Sequence, residues 1–137
     1  MSRIVNTESA GKERTQLTKA VALAVRELAI QTQPGVEARD LAAFIVLALF
    51  RISETIDYSV AAWEKRDYWV KADTFRREWA WSGQYAGKML QAVKTDDWEN
   101  IAIISTKIAE KMNKFTVPPS HRLGHPWVGA WEELKKR

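Results

Sequence analysis

The chain has 137 residues, 46% of them apolar and 28% charged, which suits one packed domain and excludes a disordered one. It has no cysteine, which excludes disulfides and thiolate metal sites, and no apolar run reaches the roughly 18 residues of a membrane span. The net charge of +4 permits an anionic partner without requiring one, and the polar first residues lack the apolar core of a secretory signal. The expectation is a single cytoplasmic domain over 1–137.

Residues 1–10 read as a polar arm. Helix one is expected from about Gly11 to Gln31, with Leu17, Val21, Ala24 and Leu28 on one stripe and Ala20 and Val25 beside it. Gln33-Pro34-Gly35 breaks it. Helix two is expected to start near Val36 and to reach as far as Trp69, about 50 Å. Its inner stripe is Ile45, Leu49, Ile52, Ile56, Val60 and Trp63. The unbroken apolar run 41–50 leaves that stretch no wet side, which marks the central helix.

A break is expected at 71–74, with Asp73 as N-cap of helix three. That helix should run to about Lys94, with Phe75, Trp79, Ser82, Ala86, Leu90 and Val93 inward. Gly83 and Gly87 either admit a close neighbour or weaken the helix by about 1 kcal/mol each. Asp96-Asp97-Trp98-Glu99 reads as a capping box, Asp96 at the N-cap and Glu99 at N3. Helix four then runs to about Lys114 and buries Ile101, Ser105, Ile108, Ala109 and Met112. Residues 116–126, with Pro118, Pro119 and Pro126, form an extended tail, and a short fifth helix, Trp127 to Lys136, closes the chain. No period-two alternation or hairpin turn is present. The fold expected is all-α: a four-helix up-down bundle around a long central helix, with an extended proline-containing C-terminal tail and a short fifth helix.

Four constellations could carry chemistry. Glu54, Asp57 and Glu64 fall within about a quarter of the circumference of helix two, and Glu64 with Asp67 repeats the spacing of Glu54 with Asp57. Carboxylates so placed can hold a divalent metal near a phosphate, but most such rows are solvated faces, and Arg51, Lys65 and Arg66 stand close enough to pair with them. His121 and His125 are the only histidines; Gly124 and Pro126 put them in a loop, with no third ligand in reach. On helix three, Arg77, Trp81 and Lys88 lie away from the Phe75–Trp79 stripe. An exposed ring flanked by cations can stack on a base or cap an apolar patch, although a tryptophan is more often buried. The N-terminal arm and the start of helix one bring Arg3, Lys12 and Arg14, which suit an anionic surface.

The reading these residues support is a non-catalytic helical adaptor. It engages a protein or a nucleic acid through Arg77, Trp81, Lys88 and the basic residues Arg3, Lys12 and Arg14. It implies no cofactor, no metal and no membrane. A second reading is a small metal-dependent nucleotide or phosphate hydrolase using Glu54, Asp57, Glu64 and Asp67. A third is a helical homo-oligomer whose bundle surface is its own interface.

Overall fold

In a computed structural model that describes residues 7–114 and 123–137, five helices form and no described residue lies in a strand. They are α1 (Thr7–Ala29), α2 (Val36–Lys65), α3 (Trp69–Lys94), α4 (Trp98–Lys111) and α5 (Ala130–Lys135). The first four are joined by turns at 30–35, 66–68 and 95–97. Connections this short force each helix to run antiparallel to the one before it, so the all-α up-down bundle holds.

The apolar run explains why α2 is central. Leu41, Ala42, Ala43, Ile45, Val46 and Leu49 are completely buried. They span about 200° of the helix circumference, so the helix needs neighbours on more than one side. It has them: α1 and α3 flank it, and α5 covers a further face near its N-terminal half. α4 packs on α3 and touches α1 only lightly.

The docking of α5 rests on a residue the pattern gave no reason to single out. Asp40, in the second turn of α2, accepts hydrogen bonds from the backbone N–H of Gly129 (3.1 Å) and of Trp131 (2.9 Å). It thereby caps a helix that lies about 90 residues further along the chain. Trp127 is buried just before that cap, and the ring of Trp131 lies under the Arg39 guanidinium at 5.4 Å. The fifth helix is thus shorter than expected: 126–129 form a turn, with Gly129 at φ 84°. Most of the tail expected at 116–126 lies outside the described residues.

The α2–α3 and α3–α4 boundaries differ from expectation for one physical reason. α2 ends at Lys65, not Trp69, and α3 starts at Trp69, so Asp73 sits inside the helix rather than at its N-cap. Asp67 adopts the left-handed conformation, φ 63°. Its N–H bonds the Glu64 carbonyl while the Tyr68 N–H bonds the Trp63 carbonyl at 2.9 Å, the paired pattern of a Schellman C-terminus. The same device ends α3. Asp96 has φ 57°, its N–H bonds the Val93 carbonyl, and the Asp97 N–H bonds the Ala92 carbonyl. Asp96 is therefore the closing residue of α3, and Asp97 is the N-cap of α4, its carboxylate accepting from the Asn100 N–H at 3.2 Å. α4 stops at Lys111, three residues short of expectation. It buries Ile101, Ile104, Ser105 and Ile108, and leaves Ala109 exposed.

Gly83 and Gly87 separate in role. A Cβ at Gly83 would meet the Ser53 Oγ of α2 at 3.1 Å, whereas at Gly87 it would meet nothing within 4 Å. Gly83 marks a close approach of α2 and α3; Gly87 does not.

Candidate functional site

The expected basic-aromatic face of α3 does not form. Trp81 is 9% exposed and belongs to the core. α3 packs against both α2 and α4, so it buries two flanks rather than one. At about 100° per residue, Trp81, Tyr85 and Ala92 form the second flank, roughly 100° or more round the helix from Phe75, Ala86 and Val93. Trp81 stacks on Trp79, with ring centroids 5.7 Å apart, and Tyr85 is tilted against it at 6.1 Å. Arg77 and Lys88 stay exposed beside this flank. Arg77 pairs with Asp73 at 3.0 Å, and the Lys88 ammonium lies 5.8 Å from the Tyr85 ring centre.

Of the basic arm, the described cations Lys12 and Arg14 lie in α1, and they do not face one way. Arg3 lies outside the described residues. Lys12 is exposed. Arg14 turns inward: its guanidinium donates to the Thr55 carbonyl and Oγ1 at 3.3 Å and to Ser59 Oγ at 3.4 Å, and sits 4.8 Å over the Phe75 ring. Burial pulls its pKa below the ordinary guanidinium value. Arg14 is thus a tie between α1, α2 and α3 rather than a surface cation.

The carboxylates of the hydrolase reading do not converge. Glu54 is exposed and pairs with Arg51 at 2.9 Å, one turn away. Arg51 in turn makes a bidentate pair with Glu13 of α1, at 2.6 and 2.9 Å, and these bonds raise its pKa. Asp57 is exposed. Glu64 is half-buried against Arg76 at 2.6 Å, and Asp67 has left the helix for the turn. Among the described residues, no group of three His, Cys, Asp or Glu side chains is placed to hold a metal ion. His121 is outside the described residues, and His125 packs edge-on against Trp127.

A basic and aromatic surface does exist, one turn of chain earlier. The Schellman end of α2 throws three consecutive large side chains into solvent: Tyr68 is 50% exposed, Trp69 58% and Val70 81%. Lys65, Arg66, Asp67 and Lys71 flank them in the chain, all exposed. The Lys71 ammonium lies 4.5 Å from the centre of the Trp63 ring, which meets Phe75 edge-on at 4.9 Å. The turn is therefore mounted on a fixed aromatic cluster. Arg76, the next cation along, is engaged by Glu64 and Asp73 and holds the end of α2 to the start of α3. A tryptophan, a tyrosine and a branched aliphatic displayed together and rimmed by cations are costly to leave in water. Tryptophan, tyrosine and arginine are also the residue types that dominate the energetics of protein contacts.

Comparison with protein-family models, with curated proteins and with solved structures finds no match to this chain.

Proposed function

We propose that the chain is a non-catalytic helical binding module, and that the Lys65–Lys71 turn is its recognition surface. The observation that carries this reading is the run Tyr68-Trp69-Val70, three consecutive large side chains all exposed where α2 turns into α3. The exposed apolar side chains, with Lys65, Arg66 and Lys71 beside them in the chain, suit an apolar contact with acidic neighbours on a protein partner. Val70 favours a protein partner over a nucleic acid. Rings and cations serve both, but an exposed aliphatic side chain beside them has no part in base stacking and a direct one in apolar contact.

The test is site-specific photo-cross-linking. A benzophenone amino acid replaces Trp69 in the full chain inside the producing cells, with Glu110 on the exposed side of α4 as the control position. The reading expects one discrete protein adduct from position 69 and none from position 110. An adduct to nucleic acid would replace the protein reading by the nucleic-acid one. The same adducts from both positions, or none from 69, would remove the turn as the recognition surface.

A further inference from the structure

α5 is held differently from the other helices. It has six residues, Ala130–Lys135. Isolated helices shorter than about 12–15 residues are marginal in water, so α5 is helical only while docked. Among the described helices its one substantial neighbour is α2. α2 also packs against α1 and α3, and α4 packs against α3. Release of α5 costs none of those contacts.

The docking is small. Of residues 124–137, only Trp127, Ala130 and Leu134 are buried. Its polar ties lie at the surface. The bond from the Gly129 N–H to Asp40 is exposed, and Arg39 divides its guanidinium between the Trp131 ring and the exposed Asp96 at 2.8 Å. Few buried apolar side chains and hydrogen bonds open to water mark a segment of low local stability. Asp40 works the other way, because one charged group satisfies both N–H groups at the start of α5. Ala43 and Leu47 follow Asp40 along one side of α2, within about 60° of it. Ala43 is completely buried and Leu47 partly so.

We propose that α5, with Trp127, is a latch that opens and closes on α2 as one unit while the four-helix bundle stays folded. Asp40 is its catch, and opening bares Asp40 and the strip of Ala43 and Leu47. α5 is in that sense a ligand that the chain carries for its own central helix. The latch lies at the other end of α2 from the Lys65–Lys71 turn, and either can fail without the other.

Amide hydrogen exchange of the full chain, followed by NMR at increasing sub-denaturing urea, tests it. The reporters are the N–H groups of Gly129 and Trp131, bonded to Asp40, and of Glu133, bonded to the Gly129 carbonyl. The reference is residues 45–52 of α2. The three reporters should share one opening equilibrium, on the order of 100-fold or more above that of 45–52. Ile52→Ala, about three turns beyond Asp40, should speed exchange at 45–52 by at least about 30-fold and leave the reporters within about twofold. Ile52→Val gives the same contrast on a scale of about 2- to 12-fold, should Ile52→Ala not fold. Asp40→Ala combined with Leu134→Ala should remove protection from all three reporters while 45–52 stay protected. The proposal falls if the reporters exchange no faster than 45–52, or if each opens with its own equilibrium. It also falls if the Ile52 variants speed the reporters in step with α2, or if the double variant loses protection throughout 45–52.

Discussion

Gly83 and Gly87 sit four residues apart in one helix, so replacing each by alanine isolates what the α2–α3 contact does. A glycine costs a helix interior about 0.8–1 kcal/mol relative to alanine. At Gly87 the new methyl meets nothing within 4 Å, so Gly87→Ala should stabilise by about 0.8 kcal/mol and raise Tm by about 3 °C. At Gly83 the same gain is opposed by the Ser53 Oγ at 3.1 Å. Moving that hydroxyl off its rotamer by some 30° costs about 0.5–1.5 kcal/mol, so Gly83→Ala should come out near zero or slightly destabilising. Ser53→Ala removes the offending atom and leaves Cβ at 3.8 Å, an ordinary contact. In that background Gly83→Ala should recover the full gain of about 0.8 kcal/mol. The coupling in this double-mutant cycle is then about 1 kcal/mol, well above the error of urea denaturation followed by far-UV circular dichroism. If Gly83→Ala stabilises as much as Gly87→Ala in both backgrounds, α2 and α3 do not approach at Ser53, and the reading of α3 packing is wrong.

Leu49→Ala and Ile52→Ala, both at completely buried positions of α2, should each cost about 2–5 kcal/mol in chemical denaturation; losses below about 1 kcal/mol for both would show that α2 is not the central helix. Trp81→Ala should cost about 3–5 kcal/mol, as for a core tryptophan, and a change within about 0.5 kcal/mol would return Trp81 to the surface. Asp40→Ala should cost about 1–3 kcal/mol, because two N–H groups at the start of α5 lose a charged acceptor; hydrogen exchange should then accelerate at Gly129 and Trp131, and unchanged exchange there would deny the cap.

Burial periodicity made the bundle legible. The run 41–50 calls for cover on several sides, and α1, α3 and α5 supply most of it, although Phe50 stays 39% exposed. The helix ends were harder to read because the chain closes two helices with aspartate instead of glycine. Asp67 and Asp96 both take positive φ, a conformation aspartate tolerates better than most side chains. A search for glycine and proline passes over them. That error hid the exposure of Tyr68, Trp69 and Val70, on which the proposed surface rests. With α2 extended to Trp69, the distinctive stretch 62–69 falls at a helix end with no role to assign, while Trp81 is open to either a packed or an exposed reading. Trp81 was misplaced because a single inner stripe was assigned to α3, and α3 lies between two neighbours. Arg14 misled for a related reason. A cation beside Ser, Thr and Lys residues looks like a surface patch, and only the tertiary fold brings Thr55, Ser59 and Phe75 beneath it. Asp40 left no trace in the pattern, since the helix it caps is remote in sequence. Ser105 was expected to be buried and is, but nothing in the sequence says that its hydroxyl lacks a partner.

The claim that the Lys65–Lys71 turn is the recognition surface is tested most directly by one paired measurement on the double variant Trp69→Ala, Val70→Ser. The partner identified by cross-linking from position 69 is purified, and its affinity for wild type and for the variant is measured by titration calorimetry beside urea denaturation of each. The account predicts an affinity loss of about 100-fold or more, the size of a binding hot spot, with stability changed by no more than about 0.5 kcal/mol. Equal affinity for both proteins, at equal stability, would contradict it.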